Sequence, residues 1–203
     1  MTFISLDGID GVGKSTQAAR LLQSLTDRGH DVVSVRDPGS TEIGSRLRAI
    51  LLDSDLVMHR RTEAMLFMAS RCEMIETTIR PALQAGKTVV SDRFLLANVV
   101  YQSIGGDVSA AQLWEMGRWA NGGLQPDLTL LLDMPAQAAL ERLDGPADRM
   151  EARGAEYMEA VRQAFLQQLS ASGPHTAVIN ADQPADQVTA DLLTAATRFL
   201  DAR

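Results

Sequence analysis

The sequence predicts an α/β domain in which a mainly parallel five-stranded sheet is flanked by helices on both faces. Short apolar runs alternate with longer stretches of helical spacing, and this order is typical of parallel sheets covered by helices. The short runs are apolar at nearly every position, as expected for strands that are buried on both faces. No repeat or linker interrupts the pattern, so we expect a single domain over residues 1–203.

Five apolar runs are the predicted strands, and these are Phe3–Leu6, Asp31–Val35, Thr88–Ser91, Leu128–Leu132 and Ala177–Ile179. Seven stretches with helical patterns lie between or after them, and these are Lys14–Arg28, Thr41–Leu52, Arg61–Ile79, Ser109–Ala120, Pro135–Leu143, Glu156–Leu169 and Ala185–Leu200. Gly29 marks the end of the first helix. Pro81 is expected to end the third, because proline lacks the N–H that a helix interior needs. Ser109 is a plausible N-cap.

A glycine-rich segment follows the first predicted strand and has the pattern Gly8-x-x-x-x-Gly13-Lys14-Ser15, with a helix after it. Strand, loop and helix in this order are the context of a phosphate-binding loop (P-loop). Glycine permits the backbone angles and the close approach that let successive N–H groups surround phosphate oxygens. We expect Lys14 to reach the β- and γ-phosphates of a nucleotide and the Ser15 hydroxyl to bind Mg²⁺. The predicted ATP-binding residues are Gly8, Ile9, Asp10, Gly11, Val12, Gly13, Lys14, Ser15 and Thr16.

Composition and charge exclude several other classes of protein. The net charge of −7 and the lack of a Lys/Arg run argue against a nucleic-acid partner. No apolar run approaches 18 residues, so we expect no membrane span. Cys72 is the single cysteine, which excludes an intrachain disulfide. Because Asp7, Asp10 and Lys14 occupy the region where a signal peptide needs an apolar core, we expect a cytoplasmic protein.

Charged and turn-forming residues follow four of the predicted strands. Ligands of such sheets bind at the carboxyl ends of the strands, so these positions are candidates for the site. They comprise Asp7–Ser15, Asp37–Ser40, Asp92–Arg93 and Asp133. Two apolar runs end in aspartate, and either Asp92 or Asp133 could supply a carboxylate behind the Mg²⁺ ion.

Several segments in order along the chain resemble the thymidylate kinases, a family of P-loop kinases. The segments are the loop Gly8–Ser15 with its acidic Asp10, Arg36-Asp37-Pro38-Gly39-Ser40, Leu47-Arg48 followed by Leu51-Leu52-Asp53, Leu66-Phe67 through Arg71, Asp92-Arg93-Phe94 with Tyr101-Gln102, and Pro126 through Asp133. The resemblance covers nearly the whole chain. It implies a P-loop NTPase fold, transfer of the γ-phosphoryl group of ATP to dTMP, and production of dTDP for dTTP biosynthesis with Mg²⁺.

The resemblance also assigns roles to residues of the acceptor site. By this resemblance Phe67 stacks on thymine, Arg71 and Asn98 hydrogen-bond to the base, and Tyr101 lies beneath the deoxyribose. The full set of predicted acceptor residues is Asp10, Asp37, Pro38, Arg48, Phe67, Arg71, Arg93, Asn98, Tyr101 and Gln102. Arginine suits a monophosphate because its planar fork holds phosphate oxygens in pairs. The family match favours Asp92 over Asp133 near the metal.

Phosphoryl transfer also needs cations over the transferred group. Family members place such an arginine in the phosphate loop or in a mobile lid, and Ile9–Val12 contain none. The lid is therefore predicted at residues 141–153, where Arg142, Arg149 and Arg153 stay open as alternatives. The predicted catalytic residues are Lys14, Arg93, Arg142 and Arg149.

The resemblance further implies a homodimer formed through helices on one flank, in which Arg61–Ile79 could take part. Two other functions stay open as alternatives. Another nucleoside monophosphate or deoxynucleoside kinase would share the phosphate loop but need different residues around the base. A regulatory GTPase would need an Asn-Lys-x-Asp motif for reading the base, and this sequence lacks one.

Overall fold

The computed structural model of the chain describes residues 1–53, 55–143 and 154–201. It contains one five-stranded sheet with the strand order β2-β3-β1-β4-β5, and every neighbouring pair is parallel. The strands are β1 (Thr2–Asp7), β2 (Val32–Arg36), β3 (Thr88–Asp92), β4 (Leu128–Asp133) and β5 (His175–Asn180). All five predicted strands are present, and the predicted fold class is confirmed. The central β1 is buried throughout, whereas the edge strands β2 and β5 carry exposed residues.

Helices connect and cover the strands. They are α1 (Lys14–Asp27), α2 (Glu42–Leu52), α3 (Arg60–Met74), a π-helical turn (Ile75–Ile79), α4 (Arg80–Gln84), α5 (Leu95–Ser103), α6 (Ala110–Ala120), α7 (Ala136–Leu140), α8 (Ala155–Gln168), a 3₁₀ turn (Leu169–Ala171) and α9 (Ala185–Asp201). α1 packs against β1, β3 and α9, while α5 packs against α3, α6 and α8. Ser109 caps α6 as predicted, in a reciprocal capping box with Gln112. Within the described part of the chain, no helix has both the length and the apolar character needed to cross a membrane.

Two helix predictions were wrong, each for an identifiable reason. The third predicted helix does not end near Pro81 but continues through the π-helical turn into α4. Pro81 lies in the first turn of α4, directly after the π-helical turn, where the Arg80 N–H donates to the Ile75 carbonyl oxygen five residues back. The hydrogen-bond register therefore changes next to the residue that lacks an N–H. Helix α5 was not predicted at all. Residues 95–102 are all buried, so the segment has no solvent-exposed polar face of the kind that marks a surface helix in a sequence. The helix after β4 is also shorter than the predicted Pro135–Leu143.

Strand register brings the candidate functional segments to one edge of the sheet. Asp92 at the end of β3 pairs in register with Leu6 on one side and with Arg36 on the other. The phosphate loop, the segment after β2 and the segment after β3 therefore emerge side by side. This is the edge at which parallel sheets bind ligands.

Candidate active site

The phosphate loop turns sharply between β1 and α1. Gly11 and Gly13 both have positive φ angles, 83° and 87°, which side chains other than glycine rarely adopt. A Cβ atom at Gly11 would also collide with the carbonyl group of Ala139 in α7. The loop backs onto α7, and its conformation requires glycine at these positions.

Lys14 opens α1 and is buried against the loop that precedes it. Its Nζ donates to the Ile9 carbonyl oxygen at 2.6 Å and to Asp10 Oδ1 at 3.4 Å. Burial and the nearby Arg93 charge together lower the pKa of Lys14 to about 8, although Asp10 opposes the shift. Lys14 is thus a cation with a weakened hold on its proton, and an anionic ligand at the loop would strengthen that hold.

Ser15 and the two candidate aspartates differ in their surroundings. The Ser15 hydroxyl donates to Asp92 Oδ2 at 2.6 Å, and the other Asp92 oxygen has no hydrogen-bond partner among the described residues. Asp133 instead accepts from both Nε and Nη2 of Arg162, at 2.7 and 2.8 Å. Asp133 is therefore held by α8, while Asp92 faces the phosphate loop with a free acceptor.

Asp10 is the meeting point of three side chains from different elements. It forms an ion pair with Arg93, lies 3.4 Å from Lys14 Nζ, and accepts from the Tyr101 hydroxyl at 2.9 Å. Burial alone would raise the pKa of Asp10, but the charges of Arg93 and Lys14 outweigh it and hold the pKa below its usual value. Burial alone would lower the pKa of Arg93, but the charge of Asp10 acts against burial, and the pKa of Arg93 is raised overall. This cluster links the phosphate loop to β3 and α5.

Arg93 has an unusual backbone conformation that its surroundings maintain. Its φ angle is +69°, a region that residues other than glycine seldom occupy. The Ser91 hydroxyl donates to the Arg93 carbonyl oxygen, and the Arg93 N–H donates to the Leu6 carbonyl oxygen at 2.9 Å. The guanidinium group lies over the Tyr101 ring, 5.3 Å from its centroid. Strained residues of this kind cluster at functional sites.

A cavity of about 160 Å³, the acceptor pocket, opens beside this cluster. All ten predicted acceptor residues line it: Asp10, Asp37, Pro38, Arg48, Phe67, Arg71, Arg93, Asn98, Tyr101 and Gln102. They come from the phosphate loop, the segments after β2 and β3, and helices α2, α3 and α5. The structure therefore brings together residues that lie far apart in the sequence, although their roles toward a ligand stay predictions.

A chain of buried polar groups runs along one wall of the acceptor pocket. Arg71 Nε donates to Asp37 Oδ2 at 2.5 Å, and Arg71 Nη1 donates to Asn98 Oδ1 at 3.2 Å. Asn98 Nδ2 donates in turn to Gln102 Oε1 at 2.8 Å. The Gln102 amide nitrogen has no acceptor within the described ranges. This wall is held rigidly and ends in a free N–H donor.

Other parts of the site agree less closely with the prediction. Arg36 and Glu63 also line the acceptor pocket but were not predicted as site residues. Arg36 is the first residue of the segment Arg36–Ser40, which resembles a family motif, so the sequence did offer evidence that Arg36 belongs to the site. Nothing in the sequence indicated Glu63. Arg142 lies outside the pocket: its guanidinium donates to the Ala181 carbonyl oxygen at 3.2 Å, after β5. Arg149 and Arg153 lie outside the described residues.

Comparison with known proteins identifies the family. A family model described as Thymidylate kinase matches residues 6–192. A thymidylate kinase of Rhodopirellula baltica is 63% identical over 185 residues, which are 91% of this chain and 76% of the relative. Those of Clavibacter michiganensis and Desulforudis audaxviator are 42% and 41% identical over 98% of this chain, covering 96% and 90% of their own lengths. The chain belongs to the thymidylate kinase family.

Proposed function

We infer that the protein transfers the γ-phosphoryl group of ATP to dTMP and so produces dTDP and ADP. One observation carries this conclusion: the acceptor pocket adjoins the phosphate loop, because Asp10 belongs to both and pairs with Arg93, which lines the pocket. An acceptor phosphate held there would face the donor phosphate directly, as in-line transfer requires. Phosphoryl transfer needs mainly positioning and charge stabilisation, and the side chains at this junction can provide both.

We propose that the phosphate loop, from Gly8 to Thr16, holds the phosphates of ATP. Lys14 would leave the Ile9 carbonyl oxygen and Asp10 and pair with the β- and γ-phosphates. The Ser15 hydroxyl would bind Mg²⁺ with Asp92 behind it, which fits the unpartnered oxygen of Asp92. When bound, Mg²⁺ neutralises charge on the β- and γ-oxygens. Asp133 does not suit this role because Arg162 occupies both of its oxygens.

We propose that the base of dTMP lies between Phe67 and the rigid wall formed by Asp37, Arg71, Asn98 and Gln102. Stacking on Phe67 is expected to contribute roughly 1–3 kcal/mol. The wall presents N–H donors whose positions are fixed before the ligand arrives, which favours a base with carbonyl acceptors. Tyr101 is fixed by its hydrogen bond to Asp10, and we propose that it excludes a ribose 2′-hydroxyl.

The phosphate end of dTMP would meet Arg48 and Arg93. Arg48 Nη1 now donates to the Pro38 carbonyl oxygen at 3.0 Å, so Pro38 sets the position of this arginine. Asp37 and Pro38 would thus act by placing Arg71 and Arg48. The catalytic cations over the transferred group are proposed to be Lys14, Arg93 and one or more arginines of the lid. Arg142 and Arg149 remain our candidates, with Arg153 as an alternative.

A coupled assay with ATP and a panel of acceptors tests this function. The panel is dTMP, dUMP, dCMP, dGMP and thymidine, and dTMP is expected to react best. The thymine methyl group is expected to favour dTMP over dUMP by about 10–200-fold. A clear preference for another acceptor would support a different nucleoside monophosphate kinase, and turnover without any acceptor would support a nucleotide switch. Arg149→Ala in the same assay tests the assignment of Arg149 as a catalytic arginine of the lid. Full turnover in this variant would contradict the assignment.

We propose that a second copy of the chain covers the flank made by α2, α3 and α6, which pack side by side. Large apolar side chains are exposed there, and they are Ile43, Ile50, Met65 and Trp119. Met65→Glu should convert a dimer to a monomer in light-scattering measurements. Val178→Glu on the edge strand β5 is the control, since Val178 is also exposed but lies elsewhere. A monomeric wild-type protein would contradict the proposal.

The cytoplasmic location, and the absence of nucleic-acid or membrane partners, stay predictions from the sequence. The acidic net charge of −7 supports them, because a nucleic-acid surface needs a basic footprint.

A further inference from the structure

A second cavity, of about 90 Å³, adjoins the acceptor pocket at Phe94 and is called the rear cavity here. Phe94 lines both spaces and therefore lies at the boundary between them. The remaining walls come from β1, from the start of α5, from α6, and from residues 121–126 and 171–172. None of the predicted ATP-binding or acceptor residues lines the rear cavity. It is therefore a distinct space next to the active site.

The rear cavity contains buried acceptors that lack donors. Asp7 is fully buried, and neither of its carboxylate oxygens has a hydrogen-bond partner among the described residues. Asn121 is also buried, and its Oδ1 has no donor in the same part of the chain, while its Nδ2 donates to the Leu124 carbonyl oxygen at 3.4 Å. Buried polar groups are nearly always satisfied, and an unsatisfied one costs roughly 1–3 kcal/mol, more when it is charged. Three acceptor atoms in one cavity call for a ligand with several N–H donors.

The charges near Asp7 do not remove this need. Lys14 and Arg93 are close enough to influence Asp7, but Lys14 donates to Ile9 and Asp10, and Arg93 pairs with Asp10. The Phe94 N–H and the Ser5 hydroxyl are near enough to Asp7 to lower its pKa, but neither meets the geometry of a hydrogen bond to it. The Ser5 hydroxyl, which also lines the cavity, donates to Thr129 Oγ1 at 3.3 Å. The Asp7 carboxylate therefore has no cation in direct contact, and a cationic donor would match it better than a neutral one.

The apolar walls indicate what the rest of the ligand is like. Leu95, Leu96 and Phe94 form one side of the rear cavity, and Trp114 forms another. The guanidinium of Arg118 lies over the Trp114 ring, 5.5 Å from its centroid, so this ring already accepts a planar cation. We propose that the rear cavity binds a small organic cation of the amidine or guanidine class, whose N–H groups pair with Asp7 and Asn121 and whose apolar body packs on Leu96 and Trp114.

Trp114 gives a direct readout of this site. The chain has two tryptophans, and Trp119→Phe leaves Trp114 as the single reporter. Benzamidine is the cationic probe, and benzamide is its neutral counterpart. Benzamidine is expected to change the Trp114 fluorescence in a saturable way. Benzamide should bind about tenfold more weakly or worse, because it loses the charged hydrogen bonds.

Three variants in the Trp119→Phe background complete the experiment. Asp7→Asn should weaken benzamidine binding about tenfold or more. Asp27→Asn, which changes a solvent-exposed aspartate at the end of α1, should leave binding unchanged. Ala171→Met fills the cavity from the opposite wall and should abolish binding while Asp7 stays in place. Circular dichroism checks that each variant is folded. If Asp7→Asn does not fold, the result for Ala171→Met decides whether the cavity is the binding site.

Equal binding of benzamide and benzamidine would overturn the proposal. So would unchanged binding in both Asp7→Asn and Ala171→Met. An absence of saturable binding would mean that the cavity holds only water, which also overturns it. No substrate is present in these titrations, so their outcome is independent of the phosphoryl-transfer assignment.

Discussion

The acceptor pocket and the rear cavity lie on either side of Phe94, but they treat buried charge in opposite ways. In the acceptor pocket each carboxylate has a cation: Asp10 pairs with Arg93, Asp37 with Arg71, and Glu63 with Arg60. In the rear cavity Asp7 has no such partner in the described residues, and burial raises its pKa to about 6. Asp7 and Asp10 are separated by only two residues, so position in the sequence does not decide which carboxylate is paired with a cation. The difference lies in which distant elements reach each carboxylate.

The two cavities therefore differ in how their buried carboxylates are compensated before a ligand binds. The carboxylates of the acceptor pocket are paired with cations inside the protein, so on the proposed function an anionic substrate would exchange with ion pairs that already exist. Its arginines are pre-positioned, which reduces the cost of ordering them around a phosphate. The rear cavity instead keeps an unsatisfied negative group. The four predictions below test the contrast, beginning with the largest expected effect.

Arg93→Ala should reduce turnover with dTMP by about 10³-fold or more, because an arginine over the transferred phosphoryl group contributes 10³–10⁵. The change also leaves Asp10 without its main counter-ion. Arg118→Ala is the matched control, since Arg118 is an arginine of the rear cavity, and turnover should stay within about twofold of wild type. Steady-state coupled assays measure both. A comparable loss in the two variants would show that the cavities are not functionally separate.

Arg71→Met should lower the free energy of unfolding by about 3–5 kcal/mol, because it leaves Asp37 as an uncompensated buried charge. The side chains of Arg71 and Asp37 are each only 1% exposed, so solvent cannot take over the lost interaction. The double variant Arg71→Met with Asp37→Asn should recover much of the loss. Urea unfolding of the wild type, Arg71→Met, Asp37→Asn and the double variant gives the coupling energy. A single-variant loss below about 1 kcal/mol would show that the pair is far better solvated than its burial indicates.

Asp7→Asn, in contrast to Arg71→Met, should stabilise the protein, by about 3 kcal/mol at pH 8. This figure follows from the pKa of Asp7, which is about 6 in the folded protein against 3.8 in the unfolded chain. Between these two values the folded protein keeps a proton that the unfolded chain releases. The wild type therefore loses stability as the pH rises through this window, whereas the asparagine variant does not. At pH 4 the two proteins should differ little.

Urea unfolding at pH 4 and pH 8 measures the effect of Asp7→Asn, with Asp27→Asn as an exposed control that should show no such pH dependence. A destabilised Asp7→Asn variant at pH 8 would contradict the claim that Asp7 lacks a compensating partner. Together with the Arg71→Met result, this experiment compares the removal of an unpaired charge with the breaking of a pair.

The features that sequence could predict are those that local pattern or motif determines. The five strands follow from apolar runs, the capped α6 from Ser109, and the phosphate loop from its glycines. The set of acceptor residues came from a resemblance to a family rather than from spacing, and the structure gathers that set around one pocket.

The features that were missed depend on contacts between distant residues. Helix α5 is buried along its length and shows no exposed polar face, and Pro81 is tolerated because it follows a π-helical turn in which the hydrogen-bond register changes. Asp133 and Asp92 looked equivalent, since both end an apolar strand, and only Arg162 of α8 distinguishes them. Asp7 and Asp10 also looked equivalent in the sequence, and only the pairing of Asp10 with Arg93 distinguishes them.

The smallest expected effect concerns Lys14, which lies close to both aspartates. Its pKa of about 8 predicts that kcat/KM for ATP falls about tenfold between pH 7 and pH 9, as the free enzyme loses the Lys14 proton. The kcat at saturating ATP should change less, because bound phosphates hold that proton. Asp10→Asn should move the midpoint to lower pH, since Asp10 raises the pKa of Lys14. Asp7→Asn should move the midpoint in the same direction but less, because Asp7 is not among the main influences on Lys14. Equal shifts in the two variants would erase the distinction between the paired and the unpaired carboxylate.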